Sequence, residues 1–170
     1  MHSKSTTPQQ ELPASAHRVQ QYLTDRGYTF TVLELAASTR TAIEAAASVG
    51  CSVAQIAKSL IFRDENSDQP VLVIASGANR VDTKKITAAS GLRLGRADGR
   101  YVKERVGFAI GGVPPVAHTV AMATFLDRDL QQFATIWAAA GTPHALFELP
   151  TAELPSLTGG SWLDLAAVQE

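Results

Sequence analysis

An α+β (mixed α/β) fold is predicted by three observations. Segments of helical period are interleaved with short β-branched and aromatic runs. The two kinds do not alternate in the strict strand–helix–strand rhythm of a doubly wound sheet. One pair of apolar runs, LIF and VLVIA, is separated only by the polar turn RDENSDQP, so the sheet is expected to be mixed or mostly antiparallel.

The elements follow in order. Residues 1–12 are polar and read as a flexible N-terminal tail, leaving 13–170 as a single domain of ordinary size. Val19, Tyr22 and Leu23 recur at helical spacing before Gly27, which predicts a helix over 14–26. YTFTVLEL, residues 28–35, alternates like a strand. Thr41 followed by Glu44 is a capping box, and Gly50 stops the alanine-rich helix it opens. Ser52 with Gln55 repeats the pattern, predicting a second short helix from Val53 that runs into Lys58 and places that lysine at a helix-to-strand junction. After the hairpin, Asp82 and Gly91 bracket a helix bearing Lys84 and Lys85, and Asp98 opens another over 98–106. AMATFLD, TIWAAAG and HALFEL read as strands, and a capped helix runs from Thr151 to near Gly159. SWLDLAAV shows no clear period.

Charge and composition exclude several classes. The net charge of −1 gives no global pull on a polyanion, but positions 80 to 105 hold eight basic residues against three acidic ones. Such a cluster suits either a phosphate-bearing ligand or a plain solvated face. One cysteine, Cys51, excludes an internal disulfide and a multi-cysteine zinc site, and reads as a small buried hydrophobe. Four scattered histidines lack metal-ligand spacing, so no metal and no cofactor are expected. No apolar run reaches the roughly 18 residues of a membrane span, and MHSKSTTPQQELP has no apolar signal segment. A cytoplasmic location is expected.

Two features carry candidate chemistry. Lys58 stands in AQIAKSLI, where an ammonium without a partner would cost several kcal/mol, so it either reaches water or has work to do. FAIGGVPPVAH places Gly111 and Gly112 before Pro114 and Pro115. Glycines leave backbone N–H groups unshielded and prolines fix the loop, an arrangement suited to an oxyanion, although an ordinary tight turn favours the same residues. His118 is a candidate for positioning a water. GxGxxG, GxxxxGK[ST] and GxSxG are absent.

AQIAKSLIF, SGANRVDTKK and GFAIGGVPPVAH, in this order, resemble the YbaK/EbsC family of prolyl-tRNA-synthetase-associated (ProX-type) editing domains. The resemblance spans about residues 15 to 160. It implies a mixed, barrel-like sheet surrounded by helices, and hydrolysis of the ester joining a wrong amino acid to the 3′ end of tRNA. Lys58 falls on the family's lysine, and Gly111 and Pro115 bound its G-x-x-x-P loop. Lys58, Gly111 and Gly112 would then be catalytic, with Ser59, Pro115, His118, Arg80 and Lys84 binding substrate. The implied partners are the aminoacylated 3′ end of tRNA and an aminoacyl-tRNA synthetase. Members acting on cysteinyl-tRNA carry a serine and an aspartate where this chain has Ala140 and Phe147, which argues against a cysteinyl substrate. The alternatives are a non-catalytic module of the same fold that grips tRNA or a synthetase, and a small-molecule hydrolase.

Overall fold

The computed structural model describes residues 12–168. Of the expected tail, residues 1–11 lie outside the described residues, and Leu12 packs against the core.

Helix α1, Ala14–Asp25, buries Ala16, Val19, Gln20 and Leu23, the stripe that helical spacing demands. Gln20 explains why the following strand is short. Its Oε1 accepts from Val32 N–H at 2.8 Å and its Nε2 donates to Phe30 O at 3.0 Å. A helix side chain thus takes the place of a strand neighbour, and β1 is only Val32–Glu34 rather than all of 28–35. Helix α2, Ala42–Val49, opens on the complete Thr41/Glu44 capping box and closes on Gly50.

The second expected helix does not form. Val53–Gln55 is a single 3-10 turn, Ser52 makes no side-chain cap, and strand β2 begins at Ile56. Long-range pairing overrides the local pattern: Gln55 Nε2 donates to Thr135 O, and Ile56 and Ala57 pair with Trp137 and Ala138. Lys58 is therefore the third residue of β2, Ile56–Asp64, and not a junction residue.

Strand β3, Pro70–Ser76, pairs antiparallel with β2 as the hairpin reading requires. Asp64 organises the turn by accepting from Ser67 Oγ and from the backbone N–H of Asn66 and Arg93, which hold its carboxyl below the usual range. Helix α3, Thr83–Ser90, is capped by Asp82, strand β4 is Leu94–Arg96, and helix α4, Gly99–Val106, is capped by Asp98. Strands β5, Ala123–Asp127, β6, Thr135–Ala139, and β7, Ala145–Pro150, follow. The helix expected from Thr151 is split into a 3-10 turn, Thr151–Glu153, without a side-chain cap, and a five-residue α5, Leu154–Thr158. SWL forms β8, Ser161–Leu163. Beyond it, Lys85 Nζ ties Asp164 Oδ1 and Ala166 O to α3.

The strand order is β1-β7-β6-β2-β3-β5-β8, with β4 on β2. β2–β6, β3–β5 and β5–β8 are parallel and the other ladders antiparallel, so the sheet is mixed. Val32 and Phe147 from one end of the order join Leu126 from the other in one buried cluster with α1, α4 and Phe108. Strands that distant share a core only if the sheet curls around it.

Candidate active site

β2 is paired with β3 along its length, but its other edge is interrupted. Pairing with β6 stops at Ala57 and pairing with β4 starts at Phe62. Residues 58–61 have no strand neighbour on that side. Here a cleft of about 660 Å³ opens, walled by β2, the segment before α2, β4 and the loop after α4. The gap explains why Lys58 and Ser59, which point to opposite faces of one strand, both line it.

The wall carries three cations, Arg40, Lys58 and Arg96, and among the described residues no carboxylate. The remainder is largely apolar, including Ala42, Ala45, Val102, Val113 and Leu146. Lys58 is half-buried, and among the described residues its Nζ has no hydrogen-bond or ion-pair partner. Burial pushes its ammonium below the ordinary lysine range, and the negative charge of Asp127 opposes that shift. Asp127 is fully buried, with Oδ2 accepting from Ser76 N–H and Asn79 Nδ2 and Oδ1 from Asp129 N–H. Two hydroxyls beside the cleft, Thr39 Oγ1 and Ser59 Oγ, are buried without a partner.

The glycine-proline loop reaches the cleft by Gly111 and Val113. Gly111 has φ +93°, open to glycine and costly for other residues. The two glycines differ in their hydrogen bonds. Gly112 N–H donates to Ala109 O at 3.1 Å and Gly112 O accepts from Gly141 N–H at 2.9 Å. Gly112 is thus a packing residue whose amide is already engaged, which corrects the expectation that it faces an ester. The N–H groups of Gly111 and Val113 have no protein acceptor among the described residues.

Pro115 and His118 are placed elsewhere. Both line a second, smaller depression with Tyr22, Arg26 and Met122, and neither lines the Lys58 cleft. His118 Nε2 lies 2.7 Å from Pro114 O, so that nitrogen carries the proton and donates it to the loop. Burial lowers the His118 pKa; the Pro114 bond opposes this and the charge of Arg18 adds to it. Arg80 and Lys84 are exposed and also lie off the cleft, which α3 touches through Thr83. Half of the basic 80–105 cluster is internally neutralised: Lys85, Arg93, Arg100 and Arg105 pair with Asp164, Glu65, Glu104 and Asp68.

Cys51 is a partly buried free thiol whose pKa burial raises, and it is not part of the cleft wall. Ala140, just past β6, and Phe147, in β7, are core residues; the residue before each, Ala139 and Leu146, lines the cleft. Sequence reasoning missed Thr39 and Arg40, and had Arg96 only as one member of the basic 80–105 cluster. The only signal for Arg40 was its place just ahead of a capping box.

These elements are those of a known family. The sequence model of the aminoacyl-tRNA editing domain matches residues 36–157. The chain belongs to the aminoacyl-tRNA editing domain family, of the YbaK/EbsC type. It is similar to the uncharacterised protein YwhH of Bacillus subtilis (strain 168), 34% identical over 135 residues, 79% of this chain and 85% of that one. It is also similar to EbsC of Enterococcus faecalis (strain ATCC 700802 / V583), named as a candidate Cys-tRNA(Pro)/Cys-tRNA(Cys) deacylase, 28% identical over 71% of this chain and 73% of that one. Among solved structures it is similar to a candidate trans-editing enzyme for prolyl tRNA synthetase, with TM-score 0.87 and 47% identity over 93% of this chain and 100% of that one. Among the described residues no helix is long and apolar enough to cross a membrane.

Proposed function

We propose that the protein is a trans-acting aminoacyl-tRNA editing hydrolase that cleaves the 3′-terminal aminoacyl ester of mischarged tRNA. The observation that carries this reading is that one cleft wall holds an unpartnered lysine and a glycine whose N–H has no protein acceptor.

The chemistry follows from what the wall offers. A water, oriented by the neighbouring ribose hydroxyl, adds to the ester carbonyl carbon and passes a proton through that hydroxyl to the departing 3′ oxygen. The carbonyl oxygen becomes an oxyanion, with the N–H groups of Gly111 and Val113 as its donors. The intermediate collapses by breaking the bond to the tRNA 3′ oxygen, which takes a proton. An aminoacyl ester is already activated, so positioning and charge supply most of what is needed. Lys58 holds a phosphate or ribose of the terminal nucleotide as a compact charge, flanked by Arg40 and Arg96. The apolar depth of the cleft suits a small apolar amino acid better than a polar one. The likeness to a trans-editing enzyme for prolyl tRNA synthetase supports that synthetase as a partner.

The test is a panel of mischarged tRNAs incubated with the wild type and with Lys58→Ala. At least one ester should be hydrolysed, with a loss of about 100-fold or more in the variant, the scale of removing one preorganised electrostatic contact. Equal turnover by the variant would remove Lys58 from the mechanism. A second reading, a non-catalytic module that grips tRNA or a synthetase, is favoured by the absence of any carboxylate or histidine from the cleft wall among the described residues. Salt-sensitive tRNA binding with every ester intact would establish it.

A further inference from the structure

The interrupted edge of β2 presents backbone groups as well as side chains. In an antiparallel ladder, alternate residues direct both their N–H and C=O toward the same neighbour. Ile56 O accepts from Gly77 N–H, and Asp64 N–H donates to Gln69 O, so the even-numbered residues of β2 face β3. Ser76, opposite Ala57, confirms the phase by turning its N–H away from β2 toward Asp127. The odd-numbered residues face the other side, where Ala57 meets β6 and Arg63 meets β4. Between those two lie Ser59 and Ile61; Ile61 adjoins the Phe62–Arg96 pair of the β4 ladder, and Ser59 directs its backbone N–H and C=O into the open gap, in the wall of the cleft. Neither group has a protein partner among the described residues, and polar backbone in an apolar cleft needs one.

An aminoacyl group carries an N–H donor and a C=O acceptor on one residue, the same pair that a strand residue offers its neighbour in a hydrogen-bonded antiparallel pair. We infer that Ser59 is a backbone receptor for the aminoacyl moiety, its C=O accepting from the α-amino group and its N–H donating to the ester carbonyl. The inference rests on the editing reading above for the identity of the ligand. Charge supports the occupant. The wall contains Arg40, Lys58 and Arg96 and no carboxylate, so an incoming amino group finds its acceptor in a carbonyl. Length supports it too: the unpaired stretch, 58–61, is too short for an added peptide strand and long enough for one residue. Ser59 thereby reads the presence of an α-amino group, whatever the side chain, and adds a donor to those of the glycine loop.

The deciding measurement is calorimetric binding of two non-hydrolysable ligands. Both are CCA trinucleotides ending in 3′-amino-3′-deoxyadenosine, one acylated with alanine and the other with propionate, which lacks only the α-amino group. The alanyl compound should bind at least tenfold more tightly; equal affinities overturn the inference. The companion experiment follows hydrolysis of alanyl-tRNA and propionyl-tRNA, each corrected for its spontaneous rate, with a tenfold or greater preference for alanyl. Ser59→Pro removes the N–H that faces the gap and leaves the β3 ladder intact, and should lose at least tenfold more kcat than Ser59→Ala, which keeps it. If Ser59→Pro does not fold, the two ligand comparisons with the wild type decide. Failure of both esters to react, with the alanyl preference in binding intact, would sink the hydrolase reading and leave the receptor standing.

Discussion

The side chain of Arg40 lies across Gly111, its Cγ 2.7 Å from the point where a Cβ on that glycine would stand. Two segments of the cleft wall far apart in sequence are thus in contact where the glycine lacks a side chain. Gly111→Ala would add a methyl at a positive φ and push Arg40 aside, whereas Gly112→Ala would meet the Thr142 backbone at 2.8 Å. A flexible arginine yields and a backbone does not. Each substitution should cost about 1–3 kcal/mol, with Gly112→Ala the more destabilising in thermal unfolding. Gly111→Ala should lose the larger share of kcat, since it moves both a candidate donor and a cation. Equal melting temperatures for the two variants would show that the Thr142 contact is not tight.

Lys58 should trade stability for function. Its ammonium is held below the ordinary lysine pKa by burial, so the folded chain binds fewer protons than the unfolded chain between the lowered value and about 10.4. Stability from this group therefore rises with pH through that window, and at neutral pH the charged form is a cost. Lys58→Met should raise the melting temperature, with a gain of only ~0.5 kcal/mol because the group is half exposed and screened. The same variant should lose deacylation. In the wild type, kcat/KM should fall as alkaline pH neutralises Lys58, below the pH expected for a free lysine. A profile flat to pH 11 would separate activity from that charge.

Most of the fold was legible because its signals are local. The Thr41 capping box, the Asp82 and Asp98 caps and the RDENSDQP turn act over three to eight residues, and all appear where their chemistry puts them. The Ser52 pattern failed because its competitor is distant: Ile56 and Ala57 are claimed by strand β6, some 80 residues on. The site divides in the same way. Lys58 stood out as a charge in an apolar run, and Gly111 as part of a glycine-proline cluster. Arg40 carries no such mark, since an arginine beside a cap is ordinary, and Arg96 was marked only as one of eight basic residues between 80 and 105. Only the interruption between β6 and β4 turns them toward one space, and sheet interruptions are set by topology. His118 misled because its neighbours in sequence are loop residues, while its ring faces Pro114 O and Phe108.

Asp127 should tune Lys58 without touching substrate. Its carboxylate is fully buried, accepts three hydrogen bonds and opposes the drop in the Lys58 pKa. Asp127→Asn removes the charge at nearly constant shape. The Lys58 pKa should then fall further, moving the alkaline limb of kcat/KM to lower pH. Weakening hydrogen bonds to a buried charged acceptor should cost about 1.5–3 kcal/mol in denaturant unfolding. An unmoved limb in a destabilised variant would make Asp127 purely structural.

Arg18 and His118 should act on the reaction through the loop that carries Gly111. Arg18, on α1, donates to Gly107 O at 3.3 Å and Ala117 O at 3.4 Å and lies over the Phe108 ring at 4.3 Å, so one guanidinium ties both stems of the loop. His118 closes it from within through Pro114 O. Ala117 sits at φ +71°, a conformation that an alanine keeps only when its surroundings impose it. Arg18→Ala should cost about 1 kcal/mol, the scale of an exposed cation–π contact with weak hydrogen bonds. His118→Ala should lower kcat with little change in KM, and His118→Gln, whose amide still donates, should restore part of it. The His118 pKa is lowered in the fold, so the unfolded chain takes up a proton first as pH falls through about 6.5. Wild-type stability should therefore drop below that pH, and the His118→Gln melting temperature should vary less over the same range. A variant as active as the wild type, with an unchanged pH dependence of melting, would show that the loop holds its shape without the ring.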